Sequence, residues 1–174
     1  MSTLHPIVHL VTDDKAKKEA KEIFEQVKNS TGSVPKWMRV MANCEDTLFG
    51  FFLLFKSIMD DAPTDKLLKW KIAFAVSEVN KCKYCVSISK MQLKKFGLDK
   101  KTMNEIEGIC SKKERIAIEY AKATASHAYK IDPELIKKLK ANFTDEQIVE
   151  ITSVVGLFSY INRFNDALRI LPEK

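Results

Sequence analysis

The stretch Ala73-Phe74-Ala75-Val76-Ser77-Glu78-Val79-Asn80-Lys81-Cys82-Lys83-Tyr84-Cys85 decides how the rest of the chain is read. Its first half is apolar and carries small residues, which suits a helix packed closely on all sides. Asn80-Lys81 interrupts that helix. A cysteine pair three residues apart then opens a second helix, which is expected to start near Cys82 to Tyr84 and to end at Phe96-Gly97, with Gly97 as a natural C-cap. A thiol in the first turn of a helix meets unpaired backbone N–H groups and the positive end of the helix dipole, and both favour its thiolate. Lys81 and Lys83 add positive charge on either side of Cys82.

Upstream, Asp13 is expected to cap a helix from Asp14 to Lys28, with Ala16, Ala20, Ile23, Phe24 and Val27 on one face. A short helix follows through Trp37 and Val40, with Pro35 placed where a first turn tolerates it. The next helix, Glu45 to Met59, is apolar on nearly every side and is expected to be buried, between subunits if the chain assembles. Ala62-Pro63 breaks the chain, and Thr64 is expected to cap a helix from Asp65 to Val79. Downstream, Leu98 to Ile109 and Lys112 to Ser126 read as helices, and Asp132-Pro133 opens one to Ala141. Thr144 with Gln147 forms a capping box for the last and longest helix, to about Arg169. No segment shows the alternation of a strand. The scarcity of turn residues, 5 Gly and 5 Pro in 174, also favours an all-α chain. No linker divides it, apart from an N-terminal helical extension over residues 1–29 ahead of a domain over 30–174.

The net charge of +6 would suit an acidic partner. The lysines, however, are interleaved with acids, as in Lys15, Lys17, Lys18 and Lys21 among Glu19, Glu22 and Glu25, the pattern of a solvated helix face. No basic run is interleaved with aromatics, so nucleic-acid binding is not expected. The longest apolar run, Leu48 to Phe55, falls far short of the roughly 20 residues that span a bilayer. No secretory signal pattern opens the chain, and a cytoplasmic location is the default expectation.

Four cysteines are present, Cys44, Cys82, Cys85 and Cys110, and only the close pair carries information. A Cys-x-x-Cys can shuttle between dithiol and disulfide, hold half of a zinc site, or pack as two small hydrophobes. Zinc would need single ligands gathered from Cys44, Cys110, His5, His9 or His127, none of them paired at ligand spacing. Redox use has the more direct rationale. It needs a proton acceptor, and on a continuous helix Glu78, Cys82, Cys85 and Ser89 would form one stripe, with Glu78 as base. A break at Asn80 would spoil that alignment. His127 ends a helix, where the C-terminal dipole stabilises an imidazolium, a structural role.

The motif from Ala73 to Cys85 resembles the core of the carboxymuconolactone decarboxylase superfamily, on its alkylhydroperoxidase D-like, peroxidase-related branch. The segment Phe158-Ser159-Tyr160-Ile161-Asn162-Arg163-Phe164-Asn165-Asp166-Ala167-Leu168 resembles the closing helix of that family, and the likeness covers residues 30 to 170. The resemblance implies a single-domain helical bundle of the alkylhydroperoxidase D-like type. It also implies homo-oligomers, commonly trimers or hexamers, with active sites near subunit contacts. No metal or cofactor is expected. It implies an antioxidant peroxidase in which Cys85 attacks a hydroperoxide, Cys82 resolves the sulfenic acid to a disulfide, and a dithiol partner reduces it. Two positions depart from the pattern: the family's relay Glu falls at Trp70 and its relay His at Ser89. Glu78 is the nearest substitute base, and Tyr84 is placed to donate a hydrogen bond. Two other readings stay open: a non-catalytic or redox-sensing disulfide-exchange oligomer, and a decarboxylase, which has no evident use for paired thiols.

Overall fold

The computed structural model describes residues 5–60, 63–98 and 110–172. Among them lie eight α-helices and no strand: α1 Lys18–Thr31, α2 Lys36–Met41, α3 Glu45–Met59, α4 Lys66–Val79, α5 Lys83–Lys95, α6 Lys112–His127, α7 Pro133–Asn142 and α8 Asp145–Ala167. A 3-10 turn, Ala128–Lys130, joins α6 to α7. The expected helix from Leu98 to Ile109 falls almost wholly outside the described residues.

Helix α4 is the axis of the bundle. Leu68 through Ser77 are all buried, and α5, α6 and α8 pack around them. Two of those ten residues are lysines, and each needs a counter-charge there, because an unpaired buried ammonium is prohibitively costly. Lys69 Nζ lies 2.6 Å from Glu150 Oε1 of α8 and also donates to the Asp60 carbonyl. Glu150 Oε2 accepts from the Thr64 N–H at 2.7 Å, so one carboxylate fastens both α4 and the turn before it. Lys71 Nζ lies 2.6 Å from Glu114 Oε1 of α6. Burial pushes the Glu114 carboxyl up, but the Lys71 ammonium and the Ser111 N–H and hydroxyl outweigh it and hold the group below its ordinary value.

Two expectations are corrected at helix ends. Helix α1 begins at Lys18, not Asp14. Asp13 is drawn away from a capping role by Arg39, whose Nη1 lies 2.7 Å from its carboxylate. Helix α4 is capped by Asp65, not Thr64: the Asp65 carboxylate accepts from the Leu67 N–H at 2.8 Å, while the Thr64 backbone is committed to Glu150. Helix α3 is buried on one face only, through Leu48, Phe51, Phe52 and Met59. Phe49, Leu53 and Leu54 on its other face stay 47–50% exposed in the single chain. Helix α1 packs Ala20, Ile23, Phe24 and Val27 into the same core as the rest of the chain, against α3.

The junction of α4 and α5 sets up the site. The Cys82 N–H bonds to the Ser77 carbonyl at 3.0 Å and the Lys81 N–H to the Glu78 carbonyl at 3.1 Å. This is a Schellman motif, with Lys81 at φ 60 in the left-handed position usually given to glycine. The chain leaves α4 and restarts at once as α5, with Cys82 as its N-cap. Helix α8 ends in the same way: the Ile170 N–H bonds to the Asn165 carbonyl at 2.8 Å, and Arg169 sits at φ 57.

Candidate active site

Cys82 and Cys85 are both buried, 0% and 4% exposed, and each is the main influence on the other's ionisation. The N-cap position of Cys82 places Cys85 in the third residue of α5, inside the turn whose N–H groups lack intrahelical partners. The two thiols are unequal. The hydrogen bond to Cys85 and the loss of solvent push the Cys82 thiol far above its ordinary value, so it keeps its proton. The Cys85 thiol is held below its ordinary value. The Cys82 S–H is the main cause. Burial opposes it, and amide donors from Asn165 and Asn162 add to the lowering. Asn165 Nδ2 lies 3.1 Å from Cys85 Sγ.

These amides come from α8 and are held in turn from α4. Asn80 Nδ2 donates to Asn162 Oδ1 at 2.9 Å, Asn162 Nδ2 donates to Ser77 Oγ at 3.2 Å, and the Ser77 hydroxyl donates to the Ala73 carbonyl at 2.7 Å. Ser77, Asn162 and Asn165 are each fully buried. The Asn80-Lys81 break therefore removes Glu78 from the cysteine stripe: Glu78 is exposed at the end of α4 with no side-chain hydrogen bond to either thiol, while Ser77 faces the interior. Ser89 keeps its place on the stripe, buried one turn beyond Cys85. Tyr84 is buried and lines the cavity described next.

Cys85 and Asn165 border a cavity of about 480 Å³, and Cys82 is not among its lining residues. Six aromatic residues line it: Trp37, Phe52, Phe55, Trp70, Tyr84 and Phe158. Trp70 meets Phe158 edge-on at 5.8 Å and Phe55 at 6.4 Å. Lys56, Lys66 and Lys95 border the same cavity and are at least partly exposed, with the Asp60 carboxylate 4.0 Å from the Lys66 ammonium. Gln26 and Val27 of α1 also line it. The lone cysteines lie elsewhere on the chain. Cys44 is exposed at the N-cap of α3, where the Thr47 hydroxyl donates to its sulfur at 3.0 Å, and Cys110 is buried just before α6. His127 is exposed at the end of α6, its ring 6.2 Å from Tyr129.

No family model matches the chain. An uncharacterized Escherichia coli (strain K12) protein, YnjA, is 27% identical over 125 residues, which are 65% of this chain and 69% of that protein. Among solved structures, an uncharacterized peroxidase-related protein from Silicibacter sp. TM1040 superposes with a TM-score of 0.87 at 23% identity, covering 97% of this chain and 92% of that one. A peroxidase-related protein from Ralstonia eutropha JMP134, described as an alkylhydroperoxidase AhpD core, gives 0.86 at 21% identity over 98% and 94%. The fold is that of the AhpD-like, peroxidase-related proteins. The debrominase Bmp8, in complex with 2,3,4-tribromopyrrole, superposes with a TM-score of 0.84 at 23% identity over 98% and 93%.

Within this AhpD-like frame the two departures acquire physical form. Trp70, where the relay Glu was expected by resemblance, is part of the aromatic wall, and Ser89, at the relay His position, is sealed beneath Cys85. Sequence reasoning missed Ser77, Asn162, Asn165 and the aromatic cavity. A signal for the asparagines was present: two amides three residues apart on an otherwise apolar helix face must find partners once buried. The six aromatic residues come from α2, α3, α4, α5 and α8, so no local pattern announces their meeting. No helix among the described residues is long and apolar enough to cross a membrane.

Proposed function

We propose that this chain is a thiol-dependent peroxidase that reduces hydroperoxides through a Cys82–Cys85 dithiol–disulfide cycle, in antioxidant defence. The observation that carries the reading is the asymmetric thiol pair, a proton-bearing Cys82 against a thiolate-favouring Cys85 that borders a cavity. The Cys85 thiolate attacks the terminal oxygen of RO–OH. The O–O bond breaks, and sulfur is oxidised to S–OH. The leaving alkoxide takes the proton of the neighbouring Cys82 thiol and departs as ROH. The Cys82 thiolate so formed attacks Cys85 Sγ, closes the disulfide and releases hydroxide. A dithiol then returns both thiols by exchange. In this scheme Cys82 supplies the proton that a carboxylate–histidine relay would otherwise deliver, which fits the presence of Trp70 and Ser89 at those positions. The AhpD-like neighbours support the reading at the level of the family's chemistry. The exposed apolar face of α3 supports a homo-oligomer as the working form.

The test is thiol counting. One equivalent of cumene hydroperoxide is expected to consume two thiols per chain. Cys85→Ser should abolish the loss, and Cys82→Ser should halve it. Survival of both thiols after exposure to peroxide would end this reading.

The aromatic lining of the cavity favours a second reading, in which the same pair reduces a halogenated ring. The balance is Ar–Br plus two thiols giving Ar–H, HBr and a disulfide. The debrominase neighbour supports it. Bromide release from 2,3,4-tribromopyrrole, with no loss of thiols to peroxide, would select it over the first.

A further inference from the structure

Two polar atoms beside Cys85 are buried with no hydrogen-bond partner, Ser89 Oγ and Asn165 Oδ1. Both residues are 0% exposed. Buried groups left unpaired destabilise the state that leaves them so, and native interiors hold few. Asn165 bonds to the Cys85 sulfur, and Ser89 lies one turn further along the same helix. Ser89 follows Cys85 by one helical turn on the same face of α5, a spacing that puts side chains about 5–6 Å apart at Cβ. Asn165 Oδ1 is the second arm of the amide whose Nδ2 already donates to Cys85 Sγ at 3.1 Å. A thiolate only accepts, so the reduced sulfur offers nothing to an oxygen acceptor such as Asn165 Oδ1.

We propose that Ser89 and Asn165 are the binding groups for the sulfenic acid of Cys85. The inference rests on the peroxide reaction proposed above, in which the terminal oxygen of the hydroperoxide becomes bonded to Sγ. That transfer adds one oxygen and one O–H at the sulfur, the complement of what the two residues lack. The Ser89 hydroxyl donates to the new oxygen, and the new S–O–H donates to Asn165 Oδ1. Both unpaired atoms are satisfied only while sulfur carries oxygen. The reduced form bears their cost, and the sulfenic acid is held in one orientation until the Cys82 thiolate displaces its oxygen as hydroxide. Ser89 thus binds the oxidised product and relays no proton.

The experiment uses the full chain with Cys82→Ala, so that no resolving thiol competes. One equivalent of hydrogen peroxide is added, dimedone follows at increasing delays, and the Cys85 adduct is quantified by peptide mass. Adding Ser89→Ala is expected to shorten the trappable lifetime at least about fivefold, with sulfinic acid appearing sooner. It should also raise the Tm of the reduced protein by about 2–4 °C, because an unpaired buried hydroxyl is removed. Ser89→Thr, which keeps the hydroxyl, should retain the lifetime. An unchanged lifetime in Ser89→Ala, or a lowered Tm of its reduced form, overturns the assignment and leaves the peroxidase reading standing. Absence of any Cys85 adduct before Ser89 is altered, together with survival of both thiols when the chain with its cysteine pair intact meets peroxide, overturns both.

Discussion

Replacing Asn165 by leucine removes one amide donor from Cys85 while keeping the side chain's size. The bond lost is Nδ2 to Sγ at 3.1 Å, between two buried residues. A hydrogen bond to a charged acceptor contributes about 1.5–3 kcal/mol. At about 1.4 kcal/mol per factor of ten, the thiolate fraction below the titration midpoint should fall roughly tenfold to a hundredfold. Donors remain in the Cys82 S–H and the Asn162 amide, so ionisation is weakened and not abolished. The assay is the rate of iodoacetamide labelling at Cys85, followed by peptide mass across a pH series. The lost donor favoured the charged form, so the midpoint must move to higher pH. The sign carries into stability. A thiol whose folded pKa lies below its unfolded value near 9.0 stabilises the fold fully above that value, and loses the contribution as pH falls through the folded pKa. The deficit of Asn165→Leu should therefore be largest under alkaline conditions and shrink toward acid. A folded variant whose labelling midpoint stays in place, or moves down, refutes the asymmetry of the two thiols.

Three further outcomes follow from the packing. Trp70→Ala should cost about 3–5 kcal/mol in urea denaturation, because the ring packs edge-on against Phe158 and tilted against Phe55 in the cavity wall; a loss under 1 kcal/mol by the same measure would contradict that placement. Glu114→Gln leaves Lys71 buried opposite a neutral amide and should destabilise by about 3–5 kcal/mol at neutral pH. The Glu114 pKa is depressed, so its stabilisation is present above the unfolded value near 4.5 and lost as pH falls through the lower folded value, and the difference from wild type should close in acid. Leu53→Glu puts a charge on the exposed apolar face of α3 and should shift the mass measured by light scattering toward the monomer; an unchanged mass would remove that face as the contact.

Much of the fold was legible because local chemistry and tertiary role agree. The apolar run through Val76 is the buried axis, Thr144 with Gln147 forms the capping box of α8, and Gly97 at φ 84 closes α5 as a glycine should. Legibility failed where one residue had two suitors. Asp13 is a good cap by type, but Arg39 claims it from another helix. Lys81 and Arg169 close their helices in a conformation that their side chains do not advertise, so the motif that swings Cys82 into place is invisible without the backbone. The candidate site divides the same way. Its cysteines follow one another in sequence, whereas the amide that tunes Cys85 lies 80 residues away.

Trp37 and Trp70 are the chain's two tryptophans, and both line the cavity that Cys85 borders. Every photon of native tryptophan emission therefore originates in the wall of that chamber. Occupancy by a small molecule, or conversion of the adjacent sulfurs between their redox states, should be readable as a change in intensity or colour with no dye attached. The protein brings its own indicator to a screen for what it binds.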